Sequence, residues 1–321
     1  MAASRPDRIV ALAGALALCG APLAAQAPLT IEGRVVRVVP GDTTPVPAVP
    51  VTLHRIGRTA QGAIDSARSL ADGRFRFRLP GDTAAVYIVS ARYAGIEYFG
   101  EPVRVPGSTG VQVVVYDTSS TAPVRLSGRH VIVRAPDAAG RRTVFDLLTL
   151  RNDGRVTRVA PDSLASSWAL ALPDGVEDPE VQDGDVSPSG VRFGGDSVYL
   201  LGPVAPGIKN LMVSYALPFG ISGAEWAAPA DSFDLLVEEA GATVRGAGLV
   251  AVEPMLVAGT PLRRWTAAPP SGGRAELRVA GSAGNQGRLL QLLVGVLSAA
   301  LVAGGVYAIR RRPGSPGAPG G

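Results

Sequence analysis

The densest group of potentially reactive side chains is an acidic run at residues 177–185, which carries five carboxylates in nine positions. Carboxylate oxygens are preferred ligands of Ca²⁺, so the run contains four candidate calcium ligands: Asp178, Glu180, Asp183 and Asp185. Their spacing departs from that of an EF-hand loop, and a solvent-facing acidic loop is the alternative interpretation. We therefore expect no cofactor, with Ca²⁺ as the metal ion that the sequence leaves open.

The residues needed for catalysis are scarce, since the chain has two histidines, His54 and His130. A Ser-His-Asp hydrolase needs a base beside its nucleophile, and no G-x-S-x-G motif accompanies His130. His54 follows Leu53 in a strand-like alternation, so we expect it to point into solvent and to lie alone. The sole lysine, Lys209, belongs to no phosphate-binding loop. These features predict a protein that is not an enzyme.

The first 27 residues have the three parts of a secretory signal peptide. Arg5 and Arg8 form the basic start, residues 9–18 are apolar, and small residues come after them. An apolar run of about ten residues is too short to span a bilayer, which favours a cleaved signal over a retained anchor. Because Cys19 is the only cysteine, the mature chain is expected to contain neither disulfide nor thiol.

Residues 289–309 form an uncharged apolar stretch that predicts one transmembrane helix. Its 21 residues would span about 31 Å as a helix, which matches the hydrocarbon core of a bilayer. Arg310, Arg311 and Arg312 follow at once, so the positive-inside rule places the tail at residues 310–321 in the cytoplasm. The bulk of the chain is then extracytoplasmic. Arginine-dominated basic usage favours a GC-rich bacterium, and hence its inner membrane.

Small residues recur every four positions along the predicted transmembrane helix, at Gly295, Ala299 and Ala303. Such a face lets two helices approach closely, which permits a helix-mediated dimer. The same face supports an alternative function, that of an accessory subunit in a membrane complex. A chain rich in alanine and glycine also produces this spacing without any packing role.

The net charge of +4 and the pI near 9.6 do not indicate nucleic-acid binding. Residues 28–287 contain 25 basic and 26 acidic side chains, a balance of −1. The basic excess flanks the two apolar segments, where it is a signal of membrane topology. We therefore expect membrane lipid, and no nucleic acid, among the partners.

Alternation with a period of two predicts strands in the first extracytoplasmic part of the chain. In residues 72–79 a turn leads into a strand with Phe75, Phe77 and Leu79 on one face and arginines on the other. Residues 49–53 and 87–91 alternate similarly, and residues 112–116 read as a closing strand. About seven short strands separated by turns predict an antiparallel β-sandwich.

These segments resemble carboxypeptidase regulatory-like domains. Residues 31–35 look like the opening strand of that family, residues 45–53 its second strand, and residues 72–77 its most typical stretch, with residues 87–93 and Gly95 similar to the next strand. The resemblance implies a transthyretin-like or immunoglobulin-like sandwich without catalytic residues of its own. In the carboxypeptidases this module accompanies a separate zinc peptidase domain.

A second and larger β-sandwich is predicted downstream, from strand-like segments at residues 129–134, 143–150, 168–172, 197–201, 211–217 and 233–238. The fold class is therefore all-β, with two tandem antiparallel sandwiches. The predicted organisation is a signal peptide at 1–27, a regulatory-like sandwich at 28–120, a second sandwich at 125–266, a juxtamembrane linker at 267–288 containing a last strand at 275–279, a transmembrane helix at 289–309 and a tail at 310–321.

Together these features predict a non-catalytic, single-pass envelope protein anchored in the cell membrane. Its sandwiches would bind or scaffold envelope proteins or polymers in the periplasm. A hydrolase of envelope polysaccharide, acting through an Asp/Glu pair, is a third alternative, because the spacing of such a pair is set by the fold. Its weakness is an aromatic content of 5%, which offers few platforms for stacking sugars.

Overall fold

The computed structural model describes residues 28–57, 61–80, 85–104, 108–218, 223–227, 230–257, 259–267 and 274–278. Within these ranges the elements are β-strands, apart from a short 3₁₀ helix at Pro188–Gly190, so the all-β prediction is confirmed. The described residues contain no helix that is both long and apolar enough for a membrane crossing. The predicted signal peptide, transmembrane helix (with Gly295, Ala299 and Ala303) and tail lie outside the described residues.

The described part of the chain contains 23 strands. The first nine are β1 Pro28–Val39, β2 Asp42–Pro45, β3 Pro50–Ile56, β4 Gln61–Arg68, β5 Arg74–Pro80, β6 Val86–Tyr93, β7 Ile96–Phe99, β8 Val111–Val115 and β9 Thr118–Ser119. The remaining strands are β10 Arg125–Val133, β11 Arg142–Asn152, β12 Thr157–Arg158, β13 Trp168–Ala171, β14 Glu177–Val181, β15 Val191–Phe193, β16 Ser197–Leu200, β17 Gly207–Leu217, β18 Gly223–Ala227, β19 Ser232–Val237, β20 Thr243–Arg245, β21 Leu249–Val257, β22 Thr260–Ala267 and β23 Arg274–Arg278.

Strands β1 to β8 form two four-stranded sheets that share one core. One sheet has the order β2-β1-β5 with β8 parallel to β1, so the prediction of antiparallel pairing is wrong for that pair. The other sheet has the order β4-β3-β6-β7. The predicted alternation is confirmed here, because Phe75 and Phe77 are buried while the arginines between and after them are exposed. The fully buried side chains of this core come from both sheets and are Ile31, Val35, Val51, Leu53, Val89, Val113 and Val115.

The later strands surround a second and larger hydrophobic core. A seven-stranded sheet has the order β14-β17-β11-β10-β19-β22-β21, and two three-stranded sheets have the orders β13-β16-β15 and β18-β23-β20. Each of the six strands predicted between residues 129 and 238 is present, with ends shifted by a few residues. The last strand, predicted at 275–279, is β23, whose Ala275 and Leu277 are buried in this core.

The two groups of sheets touch through a short polar junction. β9 pairs in parallel with β12, and the backbone N–H of Thr157 donates to the carbonyl of Asp117 at 2.8 Å. The hydroxyls of Tyr98 and Thr157 lie 2.8 Å apart in a buried position. Ala205, from the later part of the chain, packs against the first core. These contacts join strands that are distant in sequence.

A buried ion pair lies in the second core, on the inner face of the seven-stranded sheet. Arg129 and Asp146 are both fully buried, and Nε of Arg129 donates to Oδ1 of Asp146 at 3.0 Å. Arg129 also donates to the carbonyl of Ala227 at 2.6 Å, and the hydroxyl of Tyr215 donates to Asp146 at 3.3 Å. Burial, reinforced by the charge of Asp146, raises the pKa of Tyr215 well above its usual value, which keeps this donor protonated. The charges are thus satisfied within the core.

Replacement of Asp146 by Asn should destabilise the protein by about 3–5 kcal/mol, because it leaves the buried guanidinium of Arg129 without a counter-ion. The measurement is denaturant unfolding of the purified chain. Asp153→Asn is the matched control, since Asp153 pairs with Arg125 at 2.9 Å on the exposed surface and should leave the midpoint nearly unchanged. Equal shifts in the two variants would contradict the high cost expected for breaking the buried pair.

Three strands crowd together at Gly33 in the first core. Gly33 lies opposite Phe75 of β5 and opposite Val111 of β8 in the strand registers. A Cβ atom added at Gly33 would lie 2.0 Å from the carbonyl oxygen of Val111 and 2.5 Å from Cζ of Phe75. Both distances are far below van der Waals contact, and the nearer atom belongs to backbone. The close approach of β5 and β8 to β1 therefore requires glycine at this position.

The Gly33→Ala variant should lose about 1–3 kcal/mol of stability or more, as expected for overpacking that shifts the backbone. Thermal unfolding of the purified chain measures this loss. Gly202→Ala is the control, because a Cβ at Gly202 meets no described atom within 4 Å. If Gly33→Ala unfolded at the same temperature as the parent, the three strands would not be packed as closely as described.

Candidate binding cleft

The predicted calcium ligands lie along an edge strand and the turn after it. Residues 177–181 form β14, at one edge of the seven-stranded sheet, so the prediction of a loop is wrong for these residues, whereas the predicted solvent exposure of the carboxylates is confirmed. Asp178 has a φ of 50° and accepts from Arg141 at 3.4 Å. Asp185 accepts from the backbone N–H of Asn210 at 2.8 Å. The concentration of carboxylates hid this strand, because acidic runs are more typical of loops.

The four carboxylates do not converge. Glu180 and Asp183 are exposed, while Asp178 and Asp185 are held by different partners. Across the described ranges, no three Asp, Glu, His or Cys side chains are grouped as metal ligands would be. Binding of Ca²⁺ by these residues remains a prediction from the sequence.

His54 lies on the outer face of its sheet, as predicted, but the expectation that it lies alone is wrong. Its Nε2 is 2.8 Å from Oγ of Ser90 and 3.6 Å from Oε1 of Glu97, and its ring packs 5.6 Å from that of Phe99. These side chains come from the adjacent strands β3, β6 and β7. Alternation along the chain does not give the register of β3 against β6. That register is needed to place His54 beside Ser90.

The serine, histidine and glutamate of this group do not have the geometry of a catalytic triad. In a triad the acid holds one ring nitrogen of the histidine while the other nitrogen faces the nucleophile. Here Oγ of Ser90 donates to Glu97 at 2.6 Å, and the acid contacts the same Nε2 that faces the serine. Ser90 is also only 1% exposed. The group therefore satisfies hydrogen bonds on the sheet surface and does not present a nucleophile.

The second histidine belongs to an ion-pair group on the outer face of the seven-stranded sheet. Nδ1 of His130 lies 2.9 Å from Oδ2 of Asp234, and Nη2 of Arg264 lies 2.9 Å from Oδ1 of the same carboxylate. Burial works to raise the pKa of Asp234, but hydrogen bonds and charge from His130 and Arg264 outweigh it and lower that pKa. His130 is thus engaged with a carboxylate that Arg264 also holds.

A cleft of 690 Å³ lies in the first group of sheets. A volume of this size is within the range of ligand-binding clefts. We name it the arginine cleft, because arginines dominate its charged lining. It is lined by Glu32, Gly33, Arg34, Ala67, Arg68, Leu70, Arg74, Phe75, Arg76, Gly110, Val111 and Gln112.

Two carboxylates neutralise part of the arginine cleft. Oδ2 of Asp72 is shared by Arg34 at 3.8 Å and Arg74 at 3.1 Å. Oε1 of Glu32 lies 2.5 Å from Nε of Arg76, directly across the β1–β5 pair. All five side chains are at least one-third exposed, so these pairs hold the arginines in place without burying their charge.

The remaining arginines of the cleft region meet no carboxylate within the described chain. Arg68 donates to the backbone carbonyl of Ala48 at 2.7 Å, and Arg78 continues the exposed face of β5. Five arginines against two carboxylates leave a formal charge of +3 on this surface. Guanidinium groups present paired N–H donors that match carboxylate or phosphate oxygens. The cleft is therefore suited to an anionic group, with Leu70 (63% exposed) as an apolar contact beside it.

Strand β5, which supplies much of this surface, is an edge strand in the described sheet. It pairs with β1, and no other described strand joins it. The backbone N–H of Val35 donates to the carbonyl of Gly73 at 2.9 Å, whereas the carbonyl of Arg74 accepts from Leu70 at 2.8 Å. Because successive residues of a strand point their backbone groups to opposite edges, Gly73 faces β1 and Arg74 faces away.

No family model and no curated protein matches the chain. Among solved structures, a mutant M1 zinc metallopeptidase from Deinococcus radiodurans aligns with 48% of this chain and 42% of its own, at 12% identity and a TM-score of 0.30. Native leukotriene A4 hydrolase from Saccharomyces cerevisiae aligns with 52% of this chain and 31% of its own, at 11% identity and a TM-score of 0.30. The chain thus spans less than half the length of these structures.

The geometry around Ser90 predicts that a fluorophosphonate probe, which reacts with activated serines, will not label the purified chain. Ser90 is buried, and its hydroxyl donates to Glu97 at 2.6 Å. The measurement is gel fluorescence after incubation with the probe, with a serine hydrolase as positive control. Labelling of the parent that disappears in Ser90→Ala would contradict the structural role assigned to this group.

Proposed function

We propose that this chain is a non-catalytic, membrane-anchored envelope protein whose extracytoplasmic β-sandwiches bind or scaffold other envelope components. In this proposal residues 1–27 are removed as a signal peptide, and one helix at 289–309 anchors the chain in the bacterial inner membrane. The tail at 310–321 then lies in the cytoplasm. Strands β1 to β23 lie on the opposite side of the membrane.

The single observation that supports this proposal most strongly is the uncharged stretch at 289–309 followed directly by three arginines. A stretch of that length and composition is typical of a membrane-spanning helix, and the arginines favour a cytoplasmic position for the tail. Residues 1–27 combine basic residues, a short apolar run and small residues, as a signal peptide does. This supports export of the residues between that segment and the stretch at 289–309. The orientation of the sheets in the cell is inferred from these two segments together.

The described strands support a binding role for the exported part. We interpret the two cores as two tandem sandwiches, the first of them similar to carboxypeptidase regulatory-like domains. Its arginine cleft combines positive charge, an apolar contact and a volume of 690 Å³, which are properties of a binding surface. The side chains with catalytic potential, His54, Ser90 and His130, are instead engaged in contacts within the sheets.

The proposed topology predicts the labelling pattern of two engineered cysteines. Cys19 lies in the proposed signal peptide, so the mature parent should show no thiol labelling. Leu164→Cys places a thiol at a side chain that is 83% exposed, and Ser315→Cys places one in the tail. In intact spheroplasts, a membrane-impermeant maleimide should label Leu164→Cys and leave Ser315→Cys unlabelled.

Lysis provides the matched control, because both variants should be labelled once the membrane is disrupted. Labelling of the parent chain would show that Cys19 is retained. The proposal is overturned if Ser315→Cys reacts in intact spheroplasts while Leu164→Cys does not, or if both react equally. The readout is gel fluorescence normalised to the amount of chain.

A further inference from the structure

We infer that the free edge of β5 accepts an extended acidic segment of a partner protein as an additional strand beside the arginine cleft. This inference rests on the proposed function, since it names the class of partner that the binding surface would take. The partner strand would carry carboxylates at every second position. Main-chain hydrogen bonds would supply part of the affinity, and the arginines would select the sequence.

The first support is the unpaired backbone of β5. The alternation that turns Arg74 away from β1 continues along the strand, so the backbone groups of Arg76 and Arg78 face the free edge as well. Among the described residues, no hydrogen bond is formed by the main chain of either arginine at that edge. An edge of this kind is a template for strand addition.

The second support is that the arginine side chains stand beside the same residues whose backbone is free. In an antiparallel pair, the residues that exchange both backbone hydrogen bonds lie directly opposite each other on one face of the sheet. A glutamate opposite Arg76 and another opposite Arg78 would therefore combine main-chain pairing with a cross-strand ion pair. Because the formal charge of this surface is +3, its arginines can form ion pairs with further carboxylates.

The third support is the apolar side of the cleft. Alternate residues of an added strand would point to the other face, where Ala67 and Leu70 line the cleft beside buried Phe75. Aliphatic side chains at these positions would cover Leu70, which is now 63% exposed. The expected segment thus alternates acidic and aliphatic residues over about four to seven positions, the usual length of an edge strand.

The backbone edge favours a polypeptide over the other anionic components of an envelope. A phosphate or uronate polymer could meet the guanidinium groups, but it does not present N–H and C=O groups at the spacing of a strand. A second copy of β5 is also a poor partner, because arginines would lie opposite arginines and like charges directly opposite each other are destabilising. The arginines therefore exclude self-pairing while they attract an acidic strand.

The test uses the full chain in detergent and a fluorescent nine-residue peptide of alternating glutamate and valine. Fluorescence anisotropy should show saturable binding, and a peptide of the same composition with its glutamates in one block should bind at least about 5-fold more weakly. N-methylation of the glutamates blocks the N–H groups that would face β5, and it should cost roughly 2- to 10-fold per hydrogen bond lost. N-methylation of the valines should have little effect.

Protein variants test whether peptide binding depends on the arginines of β5. Arg76→Glu combined with Arg78→Glu should weaken binding by about tenfold or more, whereas Arg92→Glu, an exposed charge change on β6 of the other sheet, should not. Both side chains changed on β5 are exposed, so the variant should fold, although a glutamate at position 76 lies opposite Glu32 and should lower the thermal midpoint slightly. That midpoint is measured alongside binding.

Three results would overturn the inference. Equal binding of the alternating and blocked peptides, or equal effects of the two N-methylations, would mean that charge alone is recognised. Binding of polygalacturonate or of anionic phosphatidylglycerol vesicles in place of the peptide would assign the surface to another class of ligand. Because these measurements use purified chain, their failure leaves the cysteine-labelling result on membrane topology intact, and the two can fail separately.

Discussion

The close approach of three strands at Gly33 is the constraint on which the candidate surface depends. A Cβ atom at this position would overlap the backbone of β8 and the ring of Phe75, so glycine allows β1 to be paired on both edges at the same point. In the register of this pairing Gly33 lies opposite Phe75. With that register, Phe75 and Phe77 enter the core, Arg74, Arg76 and Arg78 face solvent, and the far edge of β5 stays free in the described sheet. The pairing of β5 with β1 thus places the exposed arginines of β5 and its free backbone groups along one edge.

Polar groups serve different purposes in the two groups of sheets. In the later sheets Arg129 and Asp146 lie inside the core, where each satisfies the other and water is excluded. Such a pair contributes little net stability but is costly to break, because loss of one partner leaves the other charge buried and unpaired. In the first sheets the charges of the arginine cleft lie at the surface and are only partly compensated. Surface charge of this kind influences recognition more than stability.

Much of the fold could be predicted from local pattern, whereas the surface could not. Strand β5 could be predicted from the period-two alternation of residues 72–79, because that pattern depends only on neighbours along the chain. The cleft combines Arg34, Arg68 and Arg76 from three strands, and their proximity depends on a register that no local pattern encodes. The same limit explains why alternation places His54 alone although Ser90 and Glu97 contact it. The acidic run at 177–185 shows a different limit. Its charges are typical of a loop, yet residues 177–181 form strand β14.

Amide hydrogen exchange along β5 in the purified full chain tests the central claim most directly, since that claim is that one edge of this strand is unpaired. The N–H groups of Phe75 and Phe77 face β1 and should exchange slowly, whereas those of Arg76 and Arg78 face the free edge and should exchange rapidly. Residue-resolved NMR exchange rates would show this alternation. Slow exchange at Arg76 and Arg78 in the chain alone would contradict the account, because it would mean that another part of the protein already covers the edge.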